Sequence, residues 1–315
     1  MFWKGKHKFA NIELIPGGES LGLGQLQNGG RVYYVNNISG SSGNDGLSWR
    51  KPFAQVSEAI TASEAFRQLG GISGTTLTTN DYVRNTILVQ GTGTAYTYLT
   101  ALPSYCDIIG LGADPRGNGA GIARIEATTG VDTVDVAAGT GVRGCNIYNM
   151  QFGGSGTGYA MDLAVAYRCV FENCVFTNKS TGGVRVLQGG GLVFRDCSIG
   201  AADTTTCTTG FTAGNSGGNF NNCLIEDCII HGTTTGFTNT AYLSNDTIVR
   251  RNTVFGGTTG ISDTSTQTGD AGLAFYVGNY VTGGTTGMTM TNGAKRHCLD
   301  NWTCSNVTIA QFSVT

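Results

Sequence analysis

Acidic and basic side chains alternate along the middle of the chain, and residues of these types could cleave an acidic polysaccharide. The four residues are Glu172, Arg195, Glu226 and Arg251, and 23 to 31 residues separate each from the next. Glycoside hydrolysis needs two carboxylates about 5–10 Å apart beside a sugar. The alternative is a ladder of ion pairs between neighbouring strands, each contributing about 0.2–1 kcal/mol. Since strand pairing by itself selects alternating charge, we favour the ladder. The four residues are kept as the catalytic set only if the protein is an enzyme.

The sequence contains no other recognisable catalytic motif. Gly110-Leu111-Gly112 follows a predicted strand, but no helix follows it, so it is not a dinucleotide fingerprint. There is no Gly-Lys-Ser/Thr phosphate loop, and no serine elbow stands near any of the three histidines. Asp196 and Asp227 could form a carboxylate pair, but asparagine takes the same place in other repeats, which favours a structural role. We therefore predict no cofactor and no metal site.

These charged residues belong to a unit that returns seven times between residues 145 and 304. Each copy has the pattern apolar-x-apolar-x-Asn/Asp-apolar-x-apolar. The apolar positions alternate on both sides of the polar anchor, as in strands with one buried face. The phase of the alternation changes at the anchor, so we predict a turn there, and asparagine and aspartate tolerate the left-handed backbone that such a turn uses. The anchors, predicted to stack as a turn ladder, are Asn149, Asn173, Asp196, Asp227, Asn252, Asn279 and Asn301.

A second corner follows the anchor in several repeats, in the form of Thr-Gly and an apolar residue. Its clearest copies are Thr209-Gly210-Phe211, Thr235-Gly236-Phe237, Thr259-Gly260-Ile261 and Thr286-Gly287-Met288. We predict that the glycine supplies a positive φ and that the apolar residue re-enters the core. Two corners in register, with a period of 22 to 31 residues and no helical pattern, predict an all-β fold, the right-handed parallel β-helix.

Ten cysteines and a net charge of −2 narrow the possible functions. Six cysteines fall in apolar columns of the repeat, where a free thiol behaves as a small buried hydrophobe, and reduced thiols suit folding in a cytosol. No paired Cys-x-x-Cys spacing supports zinc. The charge gives no electrostatic reason to expect nucleic acid, and no run of 18 apolar residues predicts a membrane span.

The N-terminal part of the chain is predicted to differ from the repeats. Residues 1–30 are interpreted as an arm that docks on a partner, with a loosely packed terminus as the alternative. The docking residues are Phe2, Trp3, Lys4, Lys6 and Lys8. The first residues lack the apolar stretch of a secretory signal. Residues 31–83 are predicted to form a strand and an amphipathic helix that caps the open end of the solenoid. Residues 84–315 are predicted to form the β-helix.

The segment that leads into the repeats carries a resemblance to a known superfamily. A strand is followed by Gly-Asn-Asp-Gly-Leu-Ser-Trp at residues 43–49, by Pro-Phe at 52–53, by a helical pattern and by Thr-Ile-Leu-Val at 86–89. This order resembles the opening of pectate-lyase-like β-helix proteins. The superfamily includes polysaccharide lyases and hydrolases, bacterial surface proteins, and phage tailspikes and other virion proteins. The resemblance is therefore specific for the fold and says little about activity.

From these features we predict a structural protein of a phage virion, a capsid decoration or a spike, that contacts host-surface glycans. The resemblance implies a homotrimer. Other virion proteins are the expected partners of the N-terminal arm, and the predicted location is the virion. A polysaccharide lyase or glycoside hydrolase is the first alternative, and a bacterial surface adhesin is the second. We expect no nucleic-acid partner and no membrane insertion.

Two features of the surface are candidates for ligand contact. The segment 203–219 lengthens one repeat to 31 residues and is the predicted special surface loop. Tyr148 and Tyr167 are outward aromatic residues of a kind that can contact sugar.

Overall fold

The chain folds as an all-β, right-handed parallel β-solenoid with a single short helix, which confirms the predicted fold class. The structure, a computed structural model, describes residues 30–309 apart from 69–82, 118, 129, 140, 178, 201–206, 216, 243, 266–273, 292–295 and 304–307. Strands pair in parallel with their equivalents in the next coil. Residues that are one repeat apart in sequence therefore become neighbours in space.

Four parallel sheets form the walls of the solenoid. Sheet I contains Val32–Val35, Asn85–Gln90, Cys106–Leu111, Asn146–Tyr148, Val170–Glu172, Val193–Arg195, Leu224–Glu226, Thr247–Arg250, Ala274–Val277 and Arg296–Leu299. Sheet II contains Tyr96–Thr97, Arg124–Ala127, Gln151–Gly154, Val175–Phe176, Ser198–Ile199, Ile229–Gly232, Thr253–Gly256, Tyr280–Gly283 and Trp302–Thr303. Sheet III contains Asp135–Val136, Tyr159–Leu163, Gly182–Val186, Thr209–Ala213, Thr235–Asn239, Thr259–Asp263, Thr286–Met290 and Thr308–Ile309. Sheet IV contains Val142–Arg143, Ala166–Tyr167, Gly189–Gly190 and Phe220–Asn221.

The core consists of columns in which one inward side chain from each coil stacks on the next. In sheet I the inward column includes Ile147, Phe171, Phe194 and Ile225, all of them buried. The rings of Phe171 and Phe194 stack with their centroids 4.5 Å apart. The period-2 pattern of each strand is thereby brought into register, and each buried side chain contributes about 1.5–3 kcal/mol to folding.

The cysteines occupy inward columns beside the strands of sheet I, as predicted. Nine cysteines lie in the described residues; all nine are free and eight are buried. Burial raises the pKa of Cys169 to about 11 and that of Cys223 to about 12. These thiols are therefore neutral at physiological pH and act as small apolar side chains.

The helix, α1 (Val56–Gln68), packs against the first two strands of sheet I, where the sequence predicted a cap. Its first turn is fixed by Glu58, whose Oε2 accepts hydrogen bonds from the backbone N–H groups of Ala54 and Gln55 at 2.9 and 3.0 Å. The buried residues of its inner face are Val56, Ala59 and Ile60. No helix in the described part of the chain is both long and apolar enough to cross a membrane.

The structure places the seven predicted turn anchors at two different positions. The first four, Asn149, Asn173, Asp196 and Asp227, have φ between 49° and 56° and form the corner between sheets I and II. In the last three coils the residues with positive φ are Arg251, Gly278 and Asp300. The predicted anchors Asn252, Asn279 and Asn301 lie one residue further along, so the predicted register is corrected there by one residue.

The register changes because the strand after Asp227 contains two adjacent apolar residues, Ile248 and Val249. Either residue could face the core, and a shift of one residue exchanges the two faces of a strand. In the structure Leu224 pairs with Ile248 on the outer face, and Ile225 pairs with Val249 inside. The three asparagines consequently continue the inward column that Cys228 occupies in the preceding coil.

The Thr-Gly corners have a different physical reason from the predicted one. Their glycines, which begin the strands of sheet III, do not have positive φ. A Cβ at Gly210 would lie 2.5 Å from the carbonyl oxygen of Gly236 and 2.8 Å from that of His231. Glycine is required there because the backbones of neighbouring coils approach closely. The apolar residue that follows, such as Phe211, does point into the core.

Candidate functional site

Three of the four residues with alternating charge lie in one column on the outer face of sheet I and bind one another. Glu172 pairs with Arg195 in one pair of strands, and Arg195 pairs with Glu226 in the next. The Nε of Arg195 lies 2.7 Å from Glu226 Oε1, and its Nη1 lies 3.5 Å from Glu172 Oε2.

The fourth residue, Arg251, lies at the corner rather than in this column, because of the register change. Its place opposite Glu226 is taken by Arg250, whose Nη2 lies 2.7 Å from Glu226 Oε2. Arg251 itself contacts Glu226 at 3.0 Å and Asp227 at 2.7 Å. The structure therefore brings all four sequence-predicted residues together, but as a chain of ion pairs.

The electrostatics of Glu226 do not suit a general acid. The Glu226 side chain is 4% exposed and contacts three guanidinium groups. Burial, the largest single influence, favours the neutral acid, but the hydrogen bonds from Arg195 and Arg250 outweigh it and lower the pKa of Glu226. At Asp227 the hydrogen bonds from Arg251 likewise lower the pKa. A general acid at neutral pH needs a raised pKa, so neither carboxylate can act as one.

A second group of carboxylates, which the sequence did not predict, lies beside sheet III. Asp132, Asp135 and Asp162 each place an oxygen within 4.8 Å of the others, a spacing that could also hold a cation. Both oxygens of Asp162 accept hydrogen bonds from Arg185, and Asp132 accepts one from the backbone N–H of Tyr159. Burial raises the pKa of Asp132 against the effect of this hydrogen bond, and the charges of Asp162 and Asp135 add to the rise. Arg185 already supplies a positive charge to this cluster.

A groove of about 460 Å³ lies on the outer face of sheet IV. It is lined by Tyr105, Arg143, Tyr167, Arg168, Gln188, Gly189, Gly190, Gly191, Asn219, Asn221 and Asn222, which come from successive coils. Its volume lies within the range of about 300–1,000 Å³ typical of small-ligand sites. The lining contains two tyrosine rings, two arginines and four side-chain amides, and no carboxylate.

The floor of the groove is the backbone of Gly189, Gly190 and Gly191. The N–H groups of Gly189 and Gly191 donate to the carbonyls of Asn219 and Asn221 in the next coil at 2.7 and 2.9 Å. A Cβ at Gly190 would lie 3.2 Å from Cδ1 of Tyr167. The groove exists because this coil has no outward side chain between the side chains of the coils on either side.

One wall of the groove is formed by Tyr167 and the residues that fix it. The Tyr167 hydroxyl accepts a hydrogen bond from Gln188 Nε2 at 2.9 Å. The guanidinium carbon of Arg143, in the preceding coil, lies 5.2 Å from the centroid of the Tyr167 ring. Arg168, the next residue after Tyr167, has φ of 55° and is exposed at the corner between sheets IV and I.

The opposite wall consists of the asparagines at 219, 221 and 222. In this coil residues 214–219 connect sheet III to sheet IV, whereas residues 187–188 suffice in the coil before. The Oδ1 of Asn221 accepts a hydrogen bond from the backbone N–H of Asn245 at 2.9 Å, so its Nδ2 group is the part directed to other partners. Amide donors therefore face the tyrosine wall across the glycine floor.

This combination can bind a sugar. A tyrosine ring offers an apolar face to the C–H groups of a pyranose. Amide and guanidinium groups donate hydrogen bonds to its hydroxyl and carboxylate oxygens. With no carboxylate in the lining, the groove lacks the acid and the base that glycosidic cleavage requires. Its chemistry is that of binding.

Sequence reasoning found part of this groove. Tyr167 was singled out, and Asn219 belongs to the predicted surface loop 203–219, of which residues 201–206 and 216 lie outside the described residues. Tyr148 lies instead on sheet I, paired with Glu172. The run Gly189-Gly190-Gly191, the signal for the floor, was missed. The predicted docking arm, with Phe2, Trp3, Lys4, Lys6 and Lys8, lies outside the described residues.

Comparison with known families gives one match. The family model described as the right handed beta helix region matches residues 129–309, which is more than half of the chain. No match is found among the curated proteins.

Several solved structures have a similar fold. The pectin methylesterase from Aspergillus niger is 16% identical with a TM-score of 0.52, over 90% of each chain. The Dettilon tailspike protein is 11% identical with a TM-score of 0.46, over 94% of this chain and 64% of the tailspike chain. Pectate lyase Pel9A is 14% identical with a TM-score of 0.45, over 90% of this chain and 78% of the lyase. At these identities the similarity concerns the fold alone.

Proposed function

The chain belongs to the right-handed β-helix family, and from this premise we propose that it is a structural protein of a phage virion, a spike or a capsid decoration, that binds surface glycans. The observation that carries the binding function is the groove of sheet IV. Its glycine floor, the tyrosine held by Gln188 and the facing asparagines form a concave polar site of suitable size.

The charged ladder of sheet I supports binding rather than cleavage. Glu172, Arg195, Glu226 and Arg251 are engaged with one another, and the pKa of Glu226 is lowered. These residues stabilise the stacking of coils, because each guanidinium bridges carboxylates of different strands.

The free buried thiols support the virion assignment. Eight of the ten cysteines are buried and free. A protein that folds with so many reduced thiols suits a reducing compartment such as the cytoplasm in which phage particles assemble. The homotrimer and the docking of the N-terminal arm on other virion proteins remain predictions and form part of the proposal.

The binding function is tested by filling the groove. Gly190→Leu adds a side chain over the floor, where even a Cβ would lie 3.2 Å from the Tyr167 ring. The control is Gly119→Leu, at an exposed glycine with open space around it. On an array of bacterial surface oligosaccharides, we expect the wild type and Gly119→Leu to bind and Gly190→Leu to lose binding while its circular dichroism is unchanged. Equal binding by the two variants would place any glycan site elsewhere.

The virion assignment is tested by mass spectrometry of purified particles after cross-linking. The proposal expects the chain in the particle, with cross-links from Lys4, Lys6 or Lys8 to another virion protein. Absence of the chain from particles would refute the assignment without affecting the glycan-binding test.

A second candidate function, a polysaccharide hydrolase, is favoured by one observation. Asp132 has a raised pKa and lies close to Asp162, which Arg185 binds through both oxygens. A neutral carboxyl beside an ionised one is the arrangement of a general acid and a nucleophile. If this candidate is right, the protein releases reducing ends from capsular polysaccharide and Asp132→Asn abolishes the release. If the wild type releases none, the candidate is eliminated.

A further inference from the structure

We propose that the groove of sheet IV selects an acidic saccharide and that Arg143 and Arg168 bind its carboxylate. This inference rests on the proposed glycan-binding function and adds the chemical class of the ligand. It starts from the way in which arginines are used across the molecule.

Most arginines outside the groove are neutralised by a carboxylate of this chain. The eight that form such ion pairs are Arg67, Arg84, Arg116, Arg124, Arg185, Arg195, Arg250 and Arg251. In the described part of the chain, neither Arg143 nor Arg168 forms an ion pair, and no carboxylate lines the groove. The two guanidinium groups therefore give this concave surface a positive potential that the protein itself does not compensate.

The geometry holds these charges at the ligand site. Arg143 lies over the Tyr167 ring, which limits the freedom of its long side chain and so the entropy lost on binding. Arg168 starts from a left-handed corner residue beside Gly191, whose Cβ would contact its Cγ at 3.5 Å. Both arginines line the same wall as Tyr167, facing the asparagines.

The chemistry of the lining favours a carboxylate on a sugar. A guanidinium donates two parallel hydrogen bonds to a carboxylate. The Tyr167 ring and the donors of Asn221 and Asn222 match the carbon skeleton and hydroxyls of a pyranose. A free inorganic anion would use the arginines alone and leave the ring and the amides without a role. A uronic acid within a glycan uses all three kinds of group.

The test compares one oligosaccharide in two charge states. The probes are a glucuronate-containing capsular oligosaccharide, the same oligosaccharide after its carboxyl groups are reduced to alcohols, and a sulfated neutral oligosaccharide. Binding is measured by calorimetry on the full chain at low and high salt. We expect the acidic form to bind about 10-fold or more tightly than the reduced form, as for loss of a charge-assisted pair. We also expect its affinity to fall with added salt.

Variants locate the effect. Arg143→Gln and Arg168→Gln should each weaken binding of the acidic form about 10-fold and leave binding of the reduced form unchanged. Arg50→Gln, at an exposed arginine outside the groove, should change neither. The comparison of the two probes on the wild type needs no variant, so the proposal stays testable if a substitution disturbs folding.

The outcomes separate this inference from the function on which it rests. Equal binding of acidic and reduced forms would overturn the acidic preference and leave glycan binding intact. Tighter binding of the sulfated probe than of the glucuronate probe would overturn the assignment of a carboxylate. Absence of binding to every oligosaccharide would refute the proposed glycan-binding function itself.

Discussion

Asn279 offers the sharpest test of how the last coils are held together. Its side chain is fully buried and uses all of its hydrogen-bonding capacity. The Nδ2 group donates to the carbonyl of Val249 at 2.9 Å and to Asn301 Oδ1 at 2.8 Å. The Oδ1 accepts from the backbone N–H and from the Nδ2 of Asn252, both at 3.0 Å. One side chain therefore connects three successive coils.

Replacing Asn279 with alanine should cost about 3–4 kcal/mol of unfolding free energy. The backbone N–H of Asn252 loses this buried partner, and Val249, Asn301 and the Asn252 side chain each lose one bond. A buried polar group left unsatisfied costs about 1–3 kcal/mol. Because Asn252 Nδ2 still reaches the carbonyl of Ile225 and Asn301 Oδ1 still accepts from the backbone of residue 279, the total is smaller than four full penalties.

The assay is urea unfolding followed by circular dichroism, with hydrogen exchange to locate the change. Neighbouring coils stabilise one another in a solenoid, so protection should fall first in the strand Tyr280–Gly283 and remain in Val170–Glu172. Thr285→Ala, at an exposed threonine of the same coil, is the control and should change stability by less than about 0.5 kcal/mol. A loss below about 1 kcal/mol for Asn279→Ala, with unchanged exchange, would refute the account of the asparagine column.

Three further perturbations test other parts of the structure. Phe171→Asp would put a charge into a fully buried position that stacks on Phe194, and we expect a loss of more than about 4 kcal/mol, seen as failure to fold on expression. The pKa of Glu226 is lower in the folded protein than its ordinary value of 4.5, so its ion pairs stabilise the fold above that pH and are lost as pH falls through the lowered pKa; Glu226→Gln should flatten the acid side of a stability–pH curve. A thiol reagent at pH 8 should leave the eight buried cysteines unlabelled, since burial keeps them neutral and inaccessible, and label them after denaturation.

Each of these expectations has an outcome that contradicts it. A soluble, normally melting Phe171→Asp protein would place residue 171 on the surface. An identical acid limb for the wild type and Glu226→Gln would mean that the arginines around Glu226 contribute no net stability. Rapid labelling of more thiols than Cys298 and Cys304 in the native protein would show that the inward columns are open to solvent.

The amino-acid sequence by itself determined the solenoid, because its signals are local. A strand with one buried face shows its alternation within a few residues, and Asn149 or Asp227 marks a left-handed corner by its own backbone tolerance. The cysteine positions followed from the same alternation. These properties depend on the residue and its immediate neighbours, so one copy of the repeat is enough to detect them.

Only the tertiary structure decided the register of the last three coils and the position of the groove. Between Asp227 and Asn252 the local pattern allows either Ile248 or Val249 to face the core, and pairing with the preceding strand selects Val249. The groove depends on Gly190 lying between Tyr167 and Asn221, residues of three different coils. Which residues become neighbours is set by loop lengths such as that of residues 214–219. A periodic pattern specifies what each coil presents, whereas the stacking of coils specifies what meets what.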